Sequence, residues 1–180
     1  PEAAYEISMN LGAAYKAFGM YLDSLRCYRS CLRIKTTDAE IYFNIGNLFS
    51  AANHCTWAWH YLNKCKEIHP SHVRCLLSMS NCSLKLNKLN DARDICQQIL
   101  KLDSKCAQAH ENFAAADQKQ DTKSAINHLK KAIAFEFTPK RALSLHRLLC
   151  KDGRYRESYE LTKYIENYSE SSTEHVVPRA

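Results

Sequence analysis

The sequence predicts an all-α fold, namely a right-handed superhelical solenoid of about five helix–turn–helix repeats. One observation is that a small residue recurs every 34 residues inside an apolar helical pattern, at Gly12, Gly46, Ser80 and Ala114. A second series repeats this step one helix later at Ser24, Ala58 and Ala92, and continues with a step one residue shorter at Ala125 and Ser158. A hairpin of two short helices cannot bury its apolar face alone, so the fixed period predicts stacked hairpins.

The clearest hairpin lies at residues 41–70, where two apolar stripes at helical spacing flank the polar pair Asn53-His54. Pro70 ends the second stripe. Small residues let two helix backbones approach closely, while large neighbours fill the space beside them. We therefore expect the residues at the small positions to mark where helices meet.

The period divides the chain into five predicted repeats within an array over residues 1–168. Their bounds are about 5–38, 39–72, 73–106, 107–138 and 139–167, and a flexible or surface-docked tail is expected at 169–180. Asp117 stands where an aromatic residue is expected in repeat 4, and His146 replaces the small residue of repeat 5. We expect looser packing in these two repeats.

A period of about 34 residues with a small residue in each helix resembles the tetratricopeptide repeat, and the resemblance covers about residues 5–167. It implies a scaffold that binds a protein partner or an extended peptide in a concave groove lined by the first helix of each hairpin. It does not name the partner, because one fold serves many functions.

Composition limits the setting in which the protein works. No run of 18 apolar residues predicts a membrane span, and the first residues, Pro1-Glu2-Ala3, read as a helix start rather than a signal peptide. No initiator Met is present, so we expect a piece of a longer protein. Several of the nine cysteines, among them Cys31, Cys65 and Cys96, fall at core positions, which predicts reduced thiols in the cytoplasm or the nucleus.

Amide side chains recur on the first helices, two positions before the small residue in three of the five repeats. They lie at Asn10, Asn44 and Asn112, with Asn47 and Asn81 one position after a small residue. An amide offers donors and an acceptor, so it can bind a peptide backbone of any sequence. This pattern is similar to the asparagine ladder of tetratricopeptide arrays that hold extended peptides; the alternative is that these residues only face solvent.

The same helix face changes character along the chain. Met9, Phe43 and Leu77 are apolar, whereas residues 119–156 hold ten Lys or Arg against three Asp or Glu. A ligand with an apolar and an acidic segment would bind such a face in one orientation; the alternative is scattered solvated charges. The predicted groove residues are Asn10, Phe43, Asn44, Asn47, Arg74, Leu77, Asn81, Asn112, Lys140 and Arg147.

The sequence bears on three other functions. A carboxylate clamp for a chaperone C-terminal tail is disfavoured, because the matching positions hold Met9 and Ser78 where the clamp needs Lys and Arg. An RNA-binding helical repeat is disfavoured because Phe135 and Tyr159 fall on second-helix packing positions and the net charge is only +6. A substrate-recognition array of an enzyme with its catalytic domain elsewhere remains an alternative.

Neither metal, cofactor nor catalysis is predicted. Cys65, His69, His72 and Cys75 superficially resemble a zinc site, but Cys65 holds a core position and both histidines lie in the linker between repeats. We find no glycine-rich phosphate loop and no nucleophile with a partner base. Trp57 is expected on the outer surface, where it offers a second contact site.

Overall fold

The computed structural model describes residues 2–173 of the chain, and the side chains through Glu166. The described part is all-α and contains no strand, as predicted. Its helices are α1 (Glu2–Ala17), α2 (Tyr21–Ile34), α3 (Ala39–Ala51), α4 (Cys55–Ile68), α5 (Val73–Lys85), α6 (Leu89–Leu102), α7 (Ala107–Asp117), α8 (Thr122–Phe135), α9 (Pro139–Lys151) and α10 (Tyr155–Thr173). None of these helices is both long and apolar enough to cross a bilayer.

The helices form two compact units. The N-terminal unit, Pro1–Leu102, holds α1 to α6 as three antiparallel hairpins, and the C-terminal unit, Asp103–Ala180, holds α7 to α10 as two. Within the N-terminal unit α3 contacts both α1 and α5, so the three first helices lie side by side. In each unit the second helix of a hairpin also packs on the first helix of the next hairpin.

The small residues mark close helix approaches, as predicted. A Cβ at Gly12 would lie 2.7 Å from Cε1 of Tyr28, and a Cβ at Gly46 would lie 2.6 Å from Cγ of Leu62. The hydroxyl of Ser24 donates to the Gly12 carbonyl at 2.7 Å, which satisfies a buried polar group at this contact. Glycine is needed because the facing ring or leucine already fills the space of a methyl group.

Local signals start and end the helices. The side chains of Asp38 and Asp121 accept backbone N–H bonds at the first turns of α3 and α8, at 2.9 Å each. Such caps satisfy donors that have no partner inside the helix. Asn53 and Asn87 adopt left-handed φ angles of 61° and 57° between the helices of their hairpins, a conformation that asparagine tolerates.

Each unit has its own apolar core. In the N-terminal unit Tyr28 and Cys31 of α2 pack against Ile41, Ile45 and Leu48 of α3. In the C-terminal unit the cluster joins α7, α8 and α9; it consists of Ala114, Ala125, Ile126, Leu129, Leu145, Leu148 and Leu149. A buried leucine or isoleucine contributes about 1.5–3 kcal/mol, so these junctions hold neighbouring hairpins together.

The two unusual repeat positions carry hydrogen bonds. The Asp117 side chain is only 5 % exposed and accepts a bond from the Ser124 hydroxyl at 2.5 Å. The Nδ1 atom of His146 lies 2.8 Å from the Ser158 hydroxyl. Polar pairs thus occupy sites where the other repeats have apolar or small residues. Looser packing in repeats 4 and 5 stays a prediction.

Two further features concern the last helix and the cysteines. Helix α10 runs to Thr173, so the predicted tail at 169–180 begins as helix, and residues 174–180 lie outside the described part. All nine cysteines are free thiols; six are buried and three are half-buried. The predicted core positions of Cys31, Cys65 and Cys96 are confirmed, since each is fully buried.

Candidate functional site

The first helices of the N-terminal unit present one shared face. The hydroxyl of Ser78 on α5 donates to the amide oxygen of Asn47 on α3 at 2.8 Å. This bond shows that residues of adjacent repeats meet on this face, and it fixes the orientation of the Asn47 amide. We call the surface formed by Asn10, Asn44, Asn47, Leu77 and Asn81 the N-terminal face.

The amides of the N-terminal face are reachable to different degrees. Asn10 and Asn81 are exposed, while Asn44 and Asn47 are half-buried. Leu77 is half-buried too and adds apolar surface. The structure thus leaves four of the five predicted amides at the surface. Their role in holding a ligand backbone stays a prediction.

Phe43 is not the exposed apolar anchor that the sequence predicts. It is only 3 % exposed, because the Arg74 guanidinium lies 4.5 Å from its ring centroid and the His72 ring 5.0 Å away. Arg74 in turn lies 3.4 Å from a carboxylate oxygen of Glu40. Phe43 is therefore a packing residue, and the predicted groove residue Arg74 serves partly as its cover.

Glu40 is a residue that the sequence reasoning missed. Its carboxylate also lies 3.1 Å from Nε2 of His72, whose Nδ1 accepts the Cys75 backbone N–H at 3.1 Å. Glu40 and Arg74 lie one repeat period apart and hold the same repeat position. Opposite charges at equivalent positions of adjacent repeats were the signal that could have revealed this pair.

The C-terminal unit contains a cavity of about 430 Å³ between α7 and α9, with α8 beneath it. We call it the basic groove. Its apolar lining comes from Ala114, Ala115, Leu129 and Leu148, and its polar lining from Glu111, Gln118, Lys119, Ser144, Arg147 and Lys151. Three of its polar side chains are cationic and exposed, whereas its one carboxylate already binds other cations. An acidic group near an apolar residue fits this combination.

Asn112 does not extend the ladder into the basic groove. The sequence places it off the core, but it is only 4 % exposed, and its amide oxygen accepts a bond from Nε2 of Gln108 at 3.1 Å. Gln108 lies one helical turn earlier on the same face, so it competes for the contacts that a ligand would need. The prediction that Asn112 avoids the core is wrong.

The two predicted cationic residues have different surroundings. Arg147 is exposed and lines the basic groove. Lys140 lies outside that lining, and its Nζ is 3.5 Å from a Glu111 carboxylate oxygen. The other Glu111 oxygen accepts from Nε of Arg141 at 2.9 Å. The charge of Lys140 is thus partly neutralised.

Arg141 was missed by the sequence analysis although it holds a core position. It is 5 % exposed, and its Nη1 donates to a Glu136 carboxylate oxygen at 2.6 Å. Burying an unpaired guanidinium is costly, so Glu111 and Glu136 are needed beside it. The signal was an arginine 32 residues after Ala109, the same separation as between Ala114 and His146, at a position where the repeat requires a buried side chain.

Solved structures share this fold. The chain matches MamA residues 41 to the end from Desulfovibrio magneticus RS-1 with a TM-score of 0.83 at 15 % identity, covering 93 % of this chain and 96 % of that one. It matches TTC0263, a TPR protein of Thermus thermophilus, with a TM-score of 0.72 at 18 % identity and 90 % coverage of both chains. A tetratricopeptide repeat protein of Parabacteroides merdae gives 0.76 at 17 % identity, with 91 % and 64 % covered.

The chain has the tetratricopeptide-repeat fold. At identities this low, the likeness concerns the fold alone. No protein-family model matches the sequence, and neither does any curated protein. The predicted fold class is confirmed, while the partner has to be inferred from the chain's own surface chemistry.

The two tryptophans of α4 differ in exposure, and Trp57 lies at the surface as predicted. Trp57 is 58 % exposed, with its ring centroid 6.3 Å from that of Phe49. Trp59 is half-buried, and Nζ of Lys88 lies 5.8 Å from its ring centroid. An open depression beside Trp57 is lined mainly by the two hairpin turns at residues 53–57 and 85–86.

The four residues that resemble a zinc site serve packing. Cys65 and Cys75 are fully buried, and the Cys75 thiol donates to the Leu62 carbonyl at 3.2 Å. The His72 side chain hydrogen-bonds to Glu40 and to the Cys75 backbone N–H. The His69 ring packs edge-on against the His72 ring. Among residues 2–173 no group of three or more His, Cys, Asp or Glu is arranged to hold a metal ion.

Proposed function

We propose that this chain is a protein-interaction module that binds an extended peptide with an apolar residue flanked by acidic residues. The observation that carries the proposal is the basic groove of the C-terminal unit, with its apolar floor and its three cations. The proposal assigns the chain a binding role and no catalytic one.

The dimensions of the basic groove suit side chains of a peptide. Its volume of about 430 Å³ falls within the range of ligand sites, roughly 300–1,000 Å³. Leu129 and Leu148 would contact an apolar side chain. Lys119, Arg147 and Lys151 would attract carboxylates, and a guanidinium can bind a carboxylate through two parallel hydrogen bonds.

The N-terminal face supports the same kind of ligand through different chemistry. Asn10, Asn44, Asn47 and Asn81 would hydrogen-bond a peptide backbone, and Leu77 would add an apolar contact. Each such amide–backbone bond contributes about 0.5–1.5 kcal/mol. We propose that the N-terminal face recognises a peptide backbone and that the basic groove, as a separate site, recognises side chains and charge.

Nucleic acid fits the basic groove less well. Binding of single strands uses aromatic rings on which bases stack. The described lining of the groove contains no aromatic side chain. Phe135 stacks on His110 with ring centroids 5.7 Å apart, and Tyr159 lies on the second helix α10. Peptide recognition therefore remains the better explanation for the positive charge.

We also propose that the protein works in a reducing compartment, the cytoplasm or the nucleus. Six buried free thiols behave as small apolar core residues here. Oxidising compartments favour paired cysteines instead.

Fluorescence polarisation tests the proposed ligand class. The probe is a labelled peptide with one leucine flanked by four aspartates, and the control peptide has asparagine at those four positions. We expect the acidic probe to bind and its affinity to fall at least tenfold in Arg147→Glu/Lys151→Glu, because both cations line the groove. Lys163→Glu on α10 is the matched control, since it reverses an exposed charge outside the groove.

The expected control result is an affinity close to that of the unaltered protein. Equal binding of both peptides would show that carboxylates are not recognised. An equal loss in Lys163→Glu would show that only the overall charge matters, and either result contradicts the proposal.

A further inference from the structure

A cysteine, a histidine and a serine meet where α9 packs against α10. The Sγ atom of Cys150 lies 3.2 Å from Oγ of Ser158 and 3.8 Å from Nε2 of His146. The Ser158 hydroxyl also lies 2.8 Å from the other ring nitrogen of His146, Nδ1. We call these three residues the thiol cluster. It places a nucleophile within reach of a base.

The thiol cluster stands where another hairpin has a close contact between small residues. His146 and Ser158 hold the repeat positions that Gly12 and Ser24 hold in the first hairpin. The imidazole fills the space between the helices, and Ser158 is only 2 % exposed beside it. Polar groups at such a site need hydrogen-bond partners, so the cluster holds the ring in a fixed orientation.

The hydrogen bonds define where the protons of the thiol cluster lie. The Thr162 hydroxyl donates to the Ser158 carbonyl at 3.0 Å, so its oxygen, 3.5 Å from Nδ1 of His146, can only accept from that nitrogen. With the hydrogen on Nδ1, Nε2 is the acceptor that faces the Cys150 thiol. The Ser158 hydroxyl accepts from Nδ1 and directs its own hydrogen to Sγ.

This arrangement gives the thiol proton a path to His146. The thiolate is the nucleophilic form of cysteine, so a cysteine reacts after its proton has left. When Nε2 takes the proton, the imidazolium N–H and the Ser158 O–H both donate to the sulfur anion. The same three contacts serve both protonation states, so no heavy atom has to move. His146 can also return the proton later in a reaction.

Cys150 is one of three half-buried cysteines, and the other six are buried. Burial, followed by nearby Asp23, raises the pKa of half-buried Cys27, which lowers its thiolate fraction. The third, Cys106, precedes α7 and forms no side-chain cap hydrogen bond. Cys106 is therefore the reference thiol against which the reactivity of Cys150 can be judged.

The access to Cys150 is a property of its repeat position. Ser50 and Leu84 hold the equivalent positions of repeats 2 and 3, and they are half-buried as well. Another hairpin follows each of them, so the access does not depend on what lies beyond α10. A small reagent can therefore reach the sulfur atom.

We propose that Cys150 is a thiolation site that exchanges with a small disulfide such as glutathione disulfide. His146 takes the thiol proton, and the Cys150 sulfur bonds to one sulfur of the reagent as the S–S bond of the reagent breaks. The leaving thiolate takes the proton from His146. The Cys150 sulfur is oxidised and the leaving sulfur is reduced, so the products are a mixed disulfide and a thiol.

The thiol cluster suits this reagent class in two ways. Exchange needs a thiolate and a proton for the leaving sulfur, and Cys150 and His146 supply both. Arg147 is exposed one helical turn before Cys150, where its charge attracts the carboxylates of glutathione disulfide. The reverse exchange with a free thiol uses the same proton path, so the modification is reversible.

Mass spectrometry of the full chain measures the exchange. The reduced chain is freed of reductant, incubated with glutathione disulfide at pH 7 and digested at intervals. We expect thiolation of Cys150 to be about tenfold faster than that of Cys106, because an ordinary thiol with a pKa of about 8.5 is only about 3 % thiolate at this pH. Cys150→Ser should remove the fast reaction. Cys106→Ser is the matched control and should leave it unchanged.

His146→Gln separates proton transfer from packing. Loss of the base should slow thiolation of Cys150 about tenfold at pH 7, whereas a loosened contact between α9 and α10 would expose the thiol and raise the rate. At pH 10 thiolate forms without a base, so the variant and the original should react at similar rates. Circular dichroism checks that the variant keeps its helices.

The same protein unfolded in urea gives a second measurement that needs no variant. At pH 7 Cys150 should react faster in the folded chain than in urea, where the base is no longer beside it. The proposal is overturned if Cys150 reacts no faster than Cys106, or no faster folded than unfolded. It is equally overturned if folded His146→Gln keeps or raises the rate at pH 7, or if its deficit persists at pH 10.

Discussion

Lowering the pH should destabilise the protein through two histidines of the C-terminal unit. Nδ1 of His110 lies 2.8 Å from Nδ1 of His128, so a single proton can lie between them. The ring of Phe113 stacks on His128 at 4.1 Å, and that of Phe135 on His110 at 5.7 Å. Both imidazoles are neutral near pH 7, because burial in this apolar cluster lowers the pKa of each ring.

The magnitude follows from the pKa of His128. Burial, followed by the effects of His110 and Lys131, lowers this pKa to about 4, while nearby Asp117 opposes the shift. Burial also lowers the pKa of His110, although the Ser104 carbonyl opposes this. In the unfolded chain a histidine has its usual pKa of about 6.5.

The unfolded chain therefore binds more protons between pH 6.5 and 4, and the free energy of unfolding falls as the pH is lowered through that range. From pH 8 to pH 5, His128 alone accounts for a loss of about 2 kcal/mol.

Urea denaturation followed by circular dichroism at pH 8, 7, 6 and 5 measures this loss. His128→Gln removes one member of the pair and should lose about 2 kcal/mol less than the original over the same range. His60→Gln is the control, because it removes one exposed histidine of α4 that lies outside the pair. Equal losses in the original protein and in His128→Gln would refute the assignment of the effect to the histidine pair.

Three further predictions concern packing and binding. Gly46→Ala should lower the free energy of unfolding in urea by about 1–3 kcal/mol, because the new Cβ would lie 2.6 Å from Leu62 Cγ; full stability would show that the helices separate freely. Arg141→Ala should cost about 2–4 kcal/mol by the same assay, since it leaves Glu111 without its buried partner, and a neutral result would contradict the role of that pair. Asn44→Ala/Asn47→Ala should lower the affinity for a peptide selected to bind the N-terminal face by roughly five- to a hundredfold if the two effects add. Unchanged affinity would show that the peptide binds elsewhere.

The repeat could be predicted from the sequence because it depends on spacing alone. The regular recurrence of small residues marked Gly12 and Gly46 as sites of close approach before any partner was known, and the structure places Tyr28 and Leu62 there. Spacing also placed Cys31 in the core, where it is fully buried. These predictions needed only the period and the volume of the residues.

The environment of individual face residues could not be predicted in this way. The helical phase says towards which side a residue points, but not what covers it. Phe43 lies under Arg74 of the next repeat, and Asn112 is bonded to Gln108, so both are buried despite a phase that suggested exposure. Their burial depends on long polar side chains, whose conformations the period does not determine.

The basic groove was only half predicted. The sequence shows the excess of Lys and Arg and predicts Arg147 as a groove residue. The cavity itself is lined by small side chains of two repeats, Ala114 and Ala115 on α7 and Ser144 on α9, and the spacing does not predict the space between them. Residues 169–173 are helical although their Ser- and Glu-rich sequence shows no apolar period, so the sequence alone does not predict how far α10 extends.

The location of the bound peptide tests the central proposal most directly. The full chain, labelled with nitrogen-15, is titrated with the leucine–aspartate probe and followed by two-dimensional NMR. We expect the largest amide chemical-shift changes at residues 114–119 and 144–151, because they contribute most of the basic groove lining. The asparagine control peptide should leave these signals in place. Shifts confined to α10, or to the depression beside Trp57, would contradict the proposal that the basic groove binds acidic peptides.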